Sequence, residues 1–599
     1  MLTVDERINE VRALMKKRKV DVYYVPNEDD HLSEEYTASY FQCKSFLSGF
    51  TGDYGCVIIT QEFAGLWTDG RNFTQAEHEL EGTCVTLMRM RQEGVPDPVE
   101  FMIEHTPANG VLGFDGRVVS TMTAKKLADA LKKKKAKIRM DEDFAGEVWG
   151  KDRPYMPADP IWVLDSEYTG EETAERIERV REKMQEKKAD ALILTRLEDP
   201  CWLLNIRGND IACTPVAYAF AMVTRTRVHY YITDFEKVSP EAKKHFAANG
   251  IKVRPYAMLG EDLEKLENWN VWVELDRLSA ALYSHLKPSN TILNEPSPIV
   301  AFRAVKNETE IERTKEAHIK DGIAMVKFLY WIKQNAADGQ LTEVSAQNHL
   351  YELRAEQEDY IEPSFTTICG YQANAAMMHY CATEASHSAI RPKGFLLVDS
   401  GGTYRDGTTD ITRTIAVGKL TAEEKKLYTK VLKGHLALMG AKFLYGTCGN
   451  NLDILARRPL WNEHIDYQCG TGHGVGHVLS VHEGPHSVAW GKRGAAVLEP
   501  GMIVTDEPGV YLPDKLGIRI ENELLVVETE KNFYGRWLEF ENLTMCPYEP
   551  EAIDLKYLDD EEIALLNAYH KKVYETLSPR LSGKEKSWLR TVTKGLKRV

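Results

Sequence analysis

The sequence predicts a mixed α/β protein that is built from three domains. Its 599 residues exceed the usual size of one domain. A helix–strand pattern near the start of the chain recurs 169 residues later, which indicates two related α/β units. Residues 395–527 then hold three strand-rich blocks that carry acidic residues and histidines. We expect domains at residues 1–155, 156–303 and 304–599.

The duplicated pattern defines the first two domains. The run ERI at positions 6–8 recurs at 175–177, and Asp21 aligns with Asp190. Each copy predicts an amphipathic helix that leads into an apolar strand. Residues 151–166 contain three prolines and predict a linker, and a second boundary is expected near residues 295–305.

The third domain should begin with a helix. From Lys306 the chain has an acidic first turn followed by an apolar stripe with few helix breakers. A second helix is expected from Thr342 to Asp359. After Pro550 the pattern is again helical and ends in a basic run at 594–598, which we interpret as a solvated tail.

The first acidic block predicts a hairpin. The apolar run FLLVD ends at Asp399, residues 405–407 indicate a turn, and residues 408–417 are rich in Thr, Ile and Val. The two arms should bring Asp399 close to Asp410. Because side chains alternate along a strand, Asp410 should share a face with Thr412 and Thr414.

The other two blocks add one histidine and two glutamates. His473 lies between glycines, Glu507 ends a strand over 502–506, and Glu521 shares a face with Arg519 and Glu523 on a strand over 517–527. A single acidic residue in a strand is usually solvated. Four carboxylates and a histidine on apolar strands are different, because buried charges must be paired or bound to metal. The set predicts a two-metal hydrolase.

Together these blocks closely resemble the catalytic domain of the M24 metallopeptidases, which has the pita-bread fold. Asp399 and Asp410 keep the family spacing of eleven residues, and the run AMMHY at 376–380 matches the family's upstream catalytic histidine. The run VHEGP at 481–485 is similar to the aminopeptidase P branch, whereas prolidases usually have VHD there. The duplicated units resemble two creatinase-type N-terminal domains, as in the three-domain cytosolic type of that branch. The run WTDGR at 67–71 also resembles a family motif, and we assign it to strand and turn packing.

The resemblance implies a complete set of metal ligands: Asp399, Asp410, His473, Glu507 and Glu521. In the family, Asp410 and Glu521 would bridge two ions, Asp399 would bind one ion, and His473 and Glu507 would bind the other. Oxygen-rich ligands with one imidazole favour Mn²⁺, while Zn²⁺ and Co²⁺ remain alternatives. A hydroxide between the two ions would attack the scissile carbonyl group.

The resemblance also implies roles for residues outside the ligand set. His379 and His482 would contact the substrate and assist proton transfer, and Glu507 would act as the general base. Arg519 and Tyr511 would contact substrate or orient a carboxylate. The family further implies a homodimer.

One position departs from the family pattern. The residue four places before the metal-binding histidine is commonly His or Ala, and here it is Cys469. We interpret it as a core thiol, with a redox-sensitive lining residue as the alternative. His477 and His486 are interpreted as structural.

Composition bears on the partners and on the cellular compartment of the protein. A net charge of −15 argues against nucleic acid as a partner. The absence of any run of ~18 apolar residues predicts that the chain has no transmembrane span. Residues 1–19 are charged and lack the apolar core of a signal peptide. Ten scattered cysteines without C-x-x-C spacing predict reduced thiols in a cytoplasmic protein.

Three functions remain after these observations. The first is an aminopeptidase that removes the N-terminal residue when proline is second. The second is a prolidase restricted to dipeptides, and the third is a metal-free pita-bread protein that only binds a partner. Chain length, the duplicated domains and the sequence HEGP favour the first, and a complete ligand set argues against the third.

Overall fold

The computed structural model describes residues 2–33 and 35–598, with the side chains of Lys492 and Arg493 excepted. Met1 of the charged N-terminal segment and Val599 of the third predicted domain therefore lie outside the described residues, as does Glu34. The chain forms two compact units, one of Met1–Leu164 with Glu171–Ile299 and one of Asp165–Gly170 with Val300–Val599. The division into three domains stays a prediction.

The first copy of the duplicated pattern is a six-stranded mixed sheet with helices. Its strands are β1 Val22–Val25, β2 Cys56–Ile59, β3 Ala64–Thr68, β4 Thr86–Arg89, β5 Val111–Phe114 and β6 Lys137–Arg139. Its helices are α1 Val4–Arg18, α2 Cys43–Ser48, α3 Phe73–Glu79, α4 Pro98–His105, α5 Thr121–Lys132 and α6 Phe144–Trp149.

The second copy repeats this arrangement. Its strands are β7 Trp162–Val163, β8 Ala191–Leu194, β9 Ile206–Arg207, β10 Ala219–Thr224, β11 Val228–Ile232, β12 Ile251–Pro255, β13 Asn270–Trp272 and β14 Thr291–Leu293. The helices of this part of the chain are α7 Ser166–Thr169, α8 Thr173–Glu186, α9 Glu198–Leu203, α10 Pro240–Ala248, α11 Met258–Glu264, α12 Ala280–Ser284 and α13 Pro298–Ala304.

The two large sheets have the same topology. The strand orders are β4-β3-β2-β1-β5-β6 and β12-β11-β10-β8-β13-β14. In each sheet the first strand pairs antiparallel on one side and parallel on the other. The preceding helix buries an apolar stripe, which is Ile8, Val11 and Met15 in α1. The predicted duplication is therefore confirmed at the level of strand order and direction.

The second unit contains the remaining elements. Its long helices are α14 Glu308–Asn335, α15 Glu343–Ala355, α16 Ala422–Met439, α17 Gly449–Trp461, α18 Asp560–Leu577 and α19 Gly583–Val592. Its strands are β15 Tyr360–Pro363, β16 Ile368–Tyr371, β17 Phe395–Ser400, β18 Gly402–Tyr404, β19 Gly407–Thr408, β20 Ile411–Ala416, β21 Lys442–Leu444, β22 Gly472–Gly474, β23 Glu483–Val488, β24 Ile503–Asp506, β25 Gly509–Leu512, β26 Leu516–Arg519, β27 Asn522–Asn532 and β28 Gly535–Asn542.

Sheets and helices of this unit share two apolar cores. Residues of α16, α17 and α18 pack with the strands β24, β26, β27 and β28 in one core. Residues of α14 and α15 pack with β16, β17 and β20 in the other. Helix α14 begins after Asn307, whose side chain accepts the backbone N–H of Glu310 in a capping box, close to the predicted start.

Two predicted continuous strands are interrupted. The expected strand over 408–417 is divided into β19 and β20, with Asp410 in the gap, and the strand over 517–527 is divided into β26 and β27, with Glu521 in the gap. In the gaps the backbone N–H of Asp410 donates to Glu523 Oε1 at 2.7 Å, and that of Glu521 donates to the Thr412 carbonyl oxygen at 3.1 Å. The prediction was wrong there because these amides are satisfied across the site instead of within a ladder.

Two predictions from composition can be compared with the fold. Among the described residues, no helix is both long and apolar enough to cross a membrane. All ten cysteines are free thiols, as their spacing predicts.

Candidate metal centre and active site

The predicted metal ligands come from separate strand ends that meet in the second unit. Asp410, His473 and Glu521 form the centre of this cluster, and one ligand atom from each lies within 4.8 Å of the others. His473 Nε2 is 3.4 Å from Asp410 Oδ2 and 3.4 Å from Glu507 Oε1. Four of the five predicted ligands are thus linked by these short distances.

Asp399 joins the cluster through Arg519. The Arg519 guanidinium is buried and forms an ion pair with Asp399. Its Nε donates to Thr412 Oγ1 at 3.1 Å, and the Thr412 hydroxyl donates to Glu521 Oε2 at 2.7 Å. Arg519 Nη1 donates to the Tyr511 hydroxyl at 2.7 Å. Arg519 therefore orients Asp399 and Tyr511.

The site carries an excess of buried negative charge. Burial raises the pKa of Asp410 well above its usual value, and repulsion from Asp399 and Glu507 adds to the effect. Burial, followed by repulsion from Asp410, likewise raises the pKa of Glu521. Asp399 Oδ1 is buried without a hydrogen-bond partner among the described residues. An orphaned oxygen beside repelling carboxylates fits divalent cations, and the oxygen-rich ligand set suits hard ions.

Neighbouring groups set the orientation of His473. Its Nδ1 lies 3.0 Å from the Gly474 carbonyl oxygen, which can only accept, so Nδ1 carries the proton. The unprotonated Nε2 faces Asp410 and Glu507 and can bind a metal ion there. The Thr505 hydroxyl accepts the backbone N–H of His473 at 3.0 Å and donates to Glu507 Oε1 at 3.1 Å.

Several supporting residues were not found from the sequence as site residues. Glu523 holds the Asp410 amide, and its Oε2 lies 3.2 Å from His318 Nε2. The alternation along the strand placed Glu523 on the correct face, but nothing in the helical pattern of α14 distinguishes His318. Thr412 and Thr505 resemble ordinary strand threonines until their partners are known.

The two predicted catalytic histidines occupy different surroundings. The His482 ring is exposed and lies edge-on to the His473 ring, with centroids 4.2 Å apart, which puts it beside the ligand cluster. His379 is half-buried in the irregular segment after β16. Its position relative to the metal ligands stays a prediction.

The residue that follows His482 has a structural role. Glu483 is buried and pairs with Arg303 Nη1 at 3.0 Å and Lys306 Nζ at 2.5 Å. His486 Nε2 lies 2.8 Å from the Ile503 carbonyl oxygen, which can only accept, so Nε2 carries the proton and donates. His477 lies 3.2 Å from the Thr314 hydroxyl and 3.0 Å from the Tyr168 carbonyl oxygen. These contacts agree with the structural interpretation of both histidines.

The surroundings of Cys469 favour the core-thiol interpretation. Cys469 packs against the larger apolar core, and its carbonyl oxygen accepts Arg457 Nη2 at 2.7 Å. Burial raises its pKa to about 12, and the nearby Glu507 carboxylate contributes. A thiol with so little thiolate is a poor nucleophile at neutral pH.

Profiles of known protein families match four stretches of the chain. The profile of metallopeptidase family M24 matches residues 312–528, and that of its C-terminal region matches 536–596. Creatinase/prolidase N-terminal domain profiles match residues 7–141 and 152–310.

Full-length relatives are similar along the whole chain. A probable Xaa-Pro aminopeptidase P of Botryotinia fuckeliana is 39% identical, over 98% of this chain and 92% of the relative. Aminopeptidase P1 of Arabidopsis thaliana is 38% identical, over 98% of this chain and 99% of the relative.

Two solved structures are also similar to this chain. The X-prolyl aminopeptidase of Caenorhabditis elegans, described as a cytosolic enzyme with a di-nuclear active site, is 33% identical with a TM-score of 0.94, and the match covers 100% of both chains. An Xaa-Pro dipeptidase of Bacillus anthracis is 27% identical with a TM-score of 0.51, and it covers 63% of this chain and 99% of its own.

The fold and the ligand cluster define a metallopeptidase, and the molecule is a hydrolase. The chain belongs to the M24 metallopeptidase family and, within it, to the aminopeptidase P group. The pita-bread domain after two creatinase-type domains, expected from the sequence, is confirmed.

Proposed function

We propose that this chain removes the N-terminal residue from peptides whose second residue is proline. The observation that carries the proposal is the cluster of Asp410, His473 and Glu521, set among repelling carboxylates in a chain of the aminopeptidase P group. The names of the full-length relatives support the substrate class. The dipeptidase alternative is weaker, because the B. anthracis dipeptidase matches only 63% of this chain.

The proposed ligands of two divalent ions are Asp399, Asp410, His473, Glu507 and Glu521. Their oxygen-rich chemistry favours Mn²⁺ over Zn²⁺ or Co²⁺. When bound, such ions lower the pKa of water so that hydroxide is available at neutral pH, and they polarise the scissile carbonyl group. The di-nuclear site described for the worm enzyme supports the number of ions.

We propose roles for the protein's own groups, and the role of His379 rests on the family resemblance alone. Glu507, close to His473 Nε2, would accept the proton of the attacking water. His482, exposed beside His473, would donate a hydrogen bond to the oxyanion, and His379 would help to pass a proton to the leaving nitrogen. Arg519 would hold Asp399 and Tyr511 in place.

Proline specificity follows from the chemistry of the bond. An Xaa-Pro bond is a tertiary amide with no N–H on the proline side, so a peptidase that needs that donor fails there. Filling a pocket with the proline ring gives only about 1–3 kcal/mol of discrimination over a smaller residue. The remainder must come from alignment of the carbonyl group in the trans bond, and roughly 10–30% of Xaa-Pro bonds in short peptides are cis.

The test compares matched peptides by mass spectrometry. We expect Xaa-Pro-Yaa to be cleaved far faster than Xaa-Ala-Yaa, in a fast trans phase and a slow cis phase at high enzyme concentration. Acetylation of the N-terminus should abolish cleavage. Equal kcat/KM for the Pro and Ala peptides would indicate a broad aminopeptidase, and cleavage of Xaa-Pro dipeptides alone would indicate a prolidase.

Metal removal distinguishes a metal-dependent peptidase from a metal-free protein that only binds a partner. Extensive chelation should abolish cleavage, and Mn²⁺ should restore it with about two ions per chain by elemental analysis, as a two-metal mechanism requires. Full activity in the metal-depleted protein, or a chain that binds no metal, would reject the proposal.

We also propose a homodimer in the cytoplasm. The cytosolic description of the worm enzyme and ten free thiols support the compartment. Light scattering after size exclusion tests the assembly, and a mass of one chain would reject the dimer. Fractionation of cells tests the compartment.

A further inference from the structure

The segment that carries His379 has little regular structure of its own. Residues 371–388 begin at the last residue of β16 and contain one short 3₁₀ helix, Gln372–Ala376. Most side chains from 381 to 387 are exposed. Backbone bonds inside the segment are local, such as that from Tyr380 N–H to the Met377 carbonyl oxygen at 3.1 Å. Its two ends are bonded to the scaffold through the backbone, by the pairing of Tyr371 with Leu396 and by the bond from the Glu343 N–H to the Ser388 carbonyl oxygen at 3.1 Å. The residues between these ends depend on side chains for their position.

One buried carboxylate ties both ends of this segment. Glu343 begins α15, and its side chain is fully buried, with 0% exposed. The carboxylate accepts the backbone N–H of Tyr371 at 2.6 Å and that of Ser388 at 2.6 Å. These two residues lie eight positions before and nine positions after His379.

The same carboxylate also holds the interior of the segment. Asn374 Nδ2 donates to both Glu343 oxygens at 3.0 and 3.1 Å, and the Tyr380 hydroxyl donates at 2.8 Å. Burial and the Glu343 carboxylate raise the pKa of Tyr380, so the phenol stays protonated and remains a donor. Tyr380 directly follows His379 in the chain.

The described partners of the Glu343 carboxylate are hydrogen-bond donors without a cationic side chain among them. In the part of the chain that the structure describes, no Lys, Arg or His forms an ion pair with it. Four hydrogen-bond donors surround the carboxylate instead: the backbone N–H groups of Tyr371 and Ser388, Asn374 Nδ2 and the Tyr380 hydroxyl. All four donors belong to the segment 371–388, so the contacts of this side chain serve that segment.

We propose that Glu343 is a positioning residue that fixes the segment 371–388 and thereby the place of His379. This inference rests on the role of His379 in the proposed function. In the described part of the chain, the hydrogen bonds of the Glu343 carboxylate go to residues 371–388 and to none of the proposed metal ligands. Its effect on catalysis should pass through His379.

The first variant is Glu343→Gln, which keeps the size of the side chain but replaces one carboxylate oxygen with an NH₂ group. The backbone N–H groups of Tyr371 and Ser388 are bonded to different oxygens, so one of them must then face a donor, and the segment loses one of its two side-chain anchors. We expect kcat on the proline tripeptide to fall about 10–100-fold, since small displacements of reacting groups cost up to ~10²-fold. Metal content should not change. The matched control is Glu549→Gln, a buried glutamate paired with Lys333 at 2.7 Å outside the segment, which should leave kcat unchanged.

A double-mutant cycle separates positioning from general loss of stability. In the His379→Ala background, Glu343→Gln should cause no further loss of kcat, because its route to the reaction is already absent. Limited proteolysis should also cut within 371–388 faster in Glu343→Gln than in the control. Full additivity of the two losses, or wild-type kcat in Glu343→Gln, would overturn the proposal.

Two provisions keep the test decisive. If Glu343→Gln does not fold, Tyr380→Phe removes one donor only and should show a smaller loss with the same coupling to His379. The coupling is measured on whichever peptide the wild type cleaves. A wrong substrate assignment would therefore change the peptide used, whereas a wrong positioning role would show as additivity.

Discussion

Asp410 occupies a place where a carboxylate is unfavourable unless a cation is present. Its side chain is 4% exposed and is repelled by Asp399, Glu507 and Glu523. Its neighbour Glu521 meets the same repulsion. Burial of like charges costs free energy of folding that bound cations would offset. The ligand cluster thus lowers the stability of the metal-free protein in exchange for affinity for metal ions.

The variant Asp410→Asn tests this exchange. An isosteric amide removes one of the repelling charges, so we expect a higher Tm than wild type in the presence of a chelator. With Mn²⁺ present the order should reverse, because the variant has lost a proposed bridging ligand, and cleavage should be abolished. Asp129→Asn, at an exposed position of α5, should change neither value. A lower Tm of Asp410→Asn in chelator would contradict the charge argument.

At the scale of an element, helix α18 carries a histidine that the fold keeps neutral. His570 is buried, and its Nε2 accepts the backbone N–H of Tyr548 at 3.2 Å. A protonated imidazole could not accept this bond. Burial lowers the pKa of His570 to about 4, and the positive charge of Arg413 adds to the effect.

The stability of this unit should therefore fall at mild acidity. Between pH 6.5 and 4 the unfolded chain binds a proton at His570 that the folded chain does not, so stability falls as the pH drops through 6.5. For a pKa near 4 the cost at pH 5 is about 2 kcal/mol. Between pH 7.5 and 5 we expect the free energy of unfolding of His570→Gln to fall by about 2 kcal/mol less than that of wild type. The measurement is urea unfolding with a chelator present.

The comparison needs a histidine that does not share this environment. The control is His464→Asn, at an exposed position with φ of 58°, a backbone conformation that Asn tolerates. This variant should show the same pH dependence of stability as wild type. Identical pH dependence in His570→Gln and wild type would show that the neutral state of His570 does not contribute.

At the scale of the whole molecule, the two duplicated sheets belong to one compact unit. Polar side chains join the copies: the Tyr256 hydroxyl donates to Asp30 Oδ2 at 2.8 Å and lies 2.9 Å from His31 Nε2. His31 Nδ1 lies 2.7 Å from the Thr195 carbonyl oxygen, so Nδ1 carries its proton. Buried polar groups of this kind are costly when a partner is removed.

Tyr256→Phe should weaken the link between the copies. The variant removes the hydroxyl that donates to Asp30 Oδ2, and loss of a partner by a buried polar group costs about 1–3 kcal/mol. We expect a lower Tm with kcat unchanged. Tyr155→Phe, at a position that is 95% exposed, is the control. Equal Tm values for the two variants would show that the cluster does not stabilise the unit.

The sequence by itself determined the features that depend on local patterns. The duplicated helix–strand units could be predicted because side-chain periodicity and caps act over a few residues, as in α1 and α14. The hairpin that carries Asp399 and Asp410 followed from a turn signal and alternation. The family resemblance added the ligand set, whose members Asp410, His473 and Glu521 the fold brings together.

Only the tertiary structure decided how these residues are held. The Arg519–Asp399 pair joins residues 120 positions apart, and Glu343 reaches Ser388 across 45 positions. Strand propensity predicted unbroken strands through Asp410 and Glu521, but the amides of both residues bond across the site. Such contacts depend on where distant strands end, and no local preference encodes that geometry, because each side chain's partner is fixed only when the sheets pack.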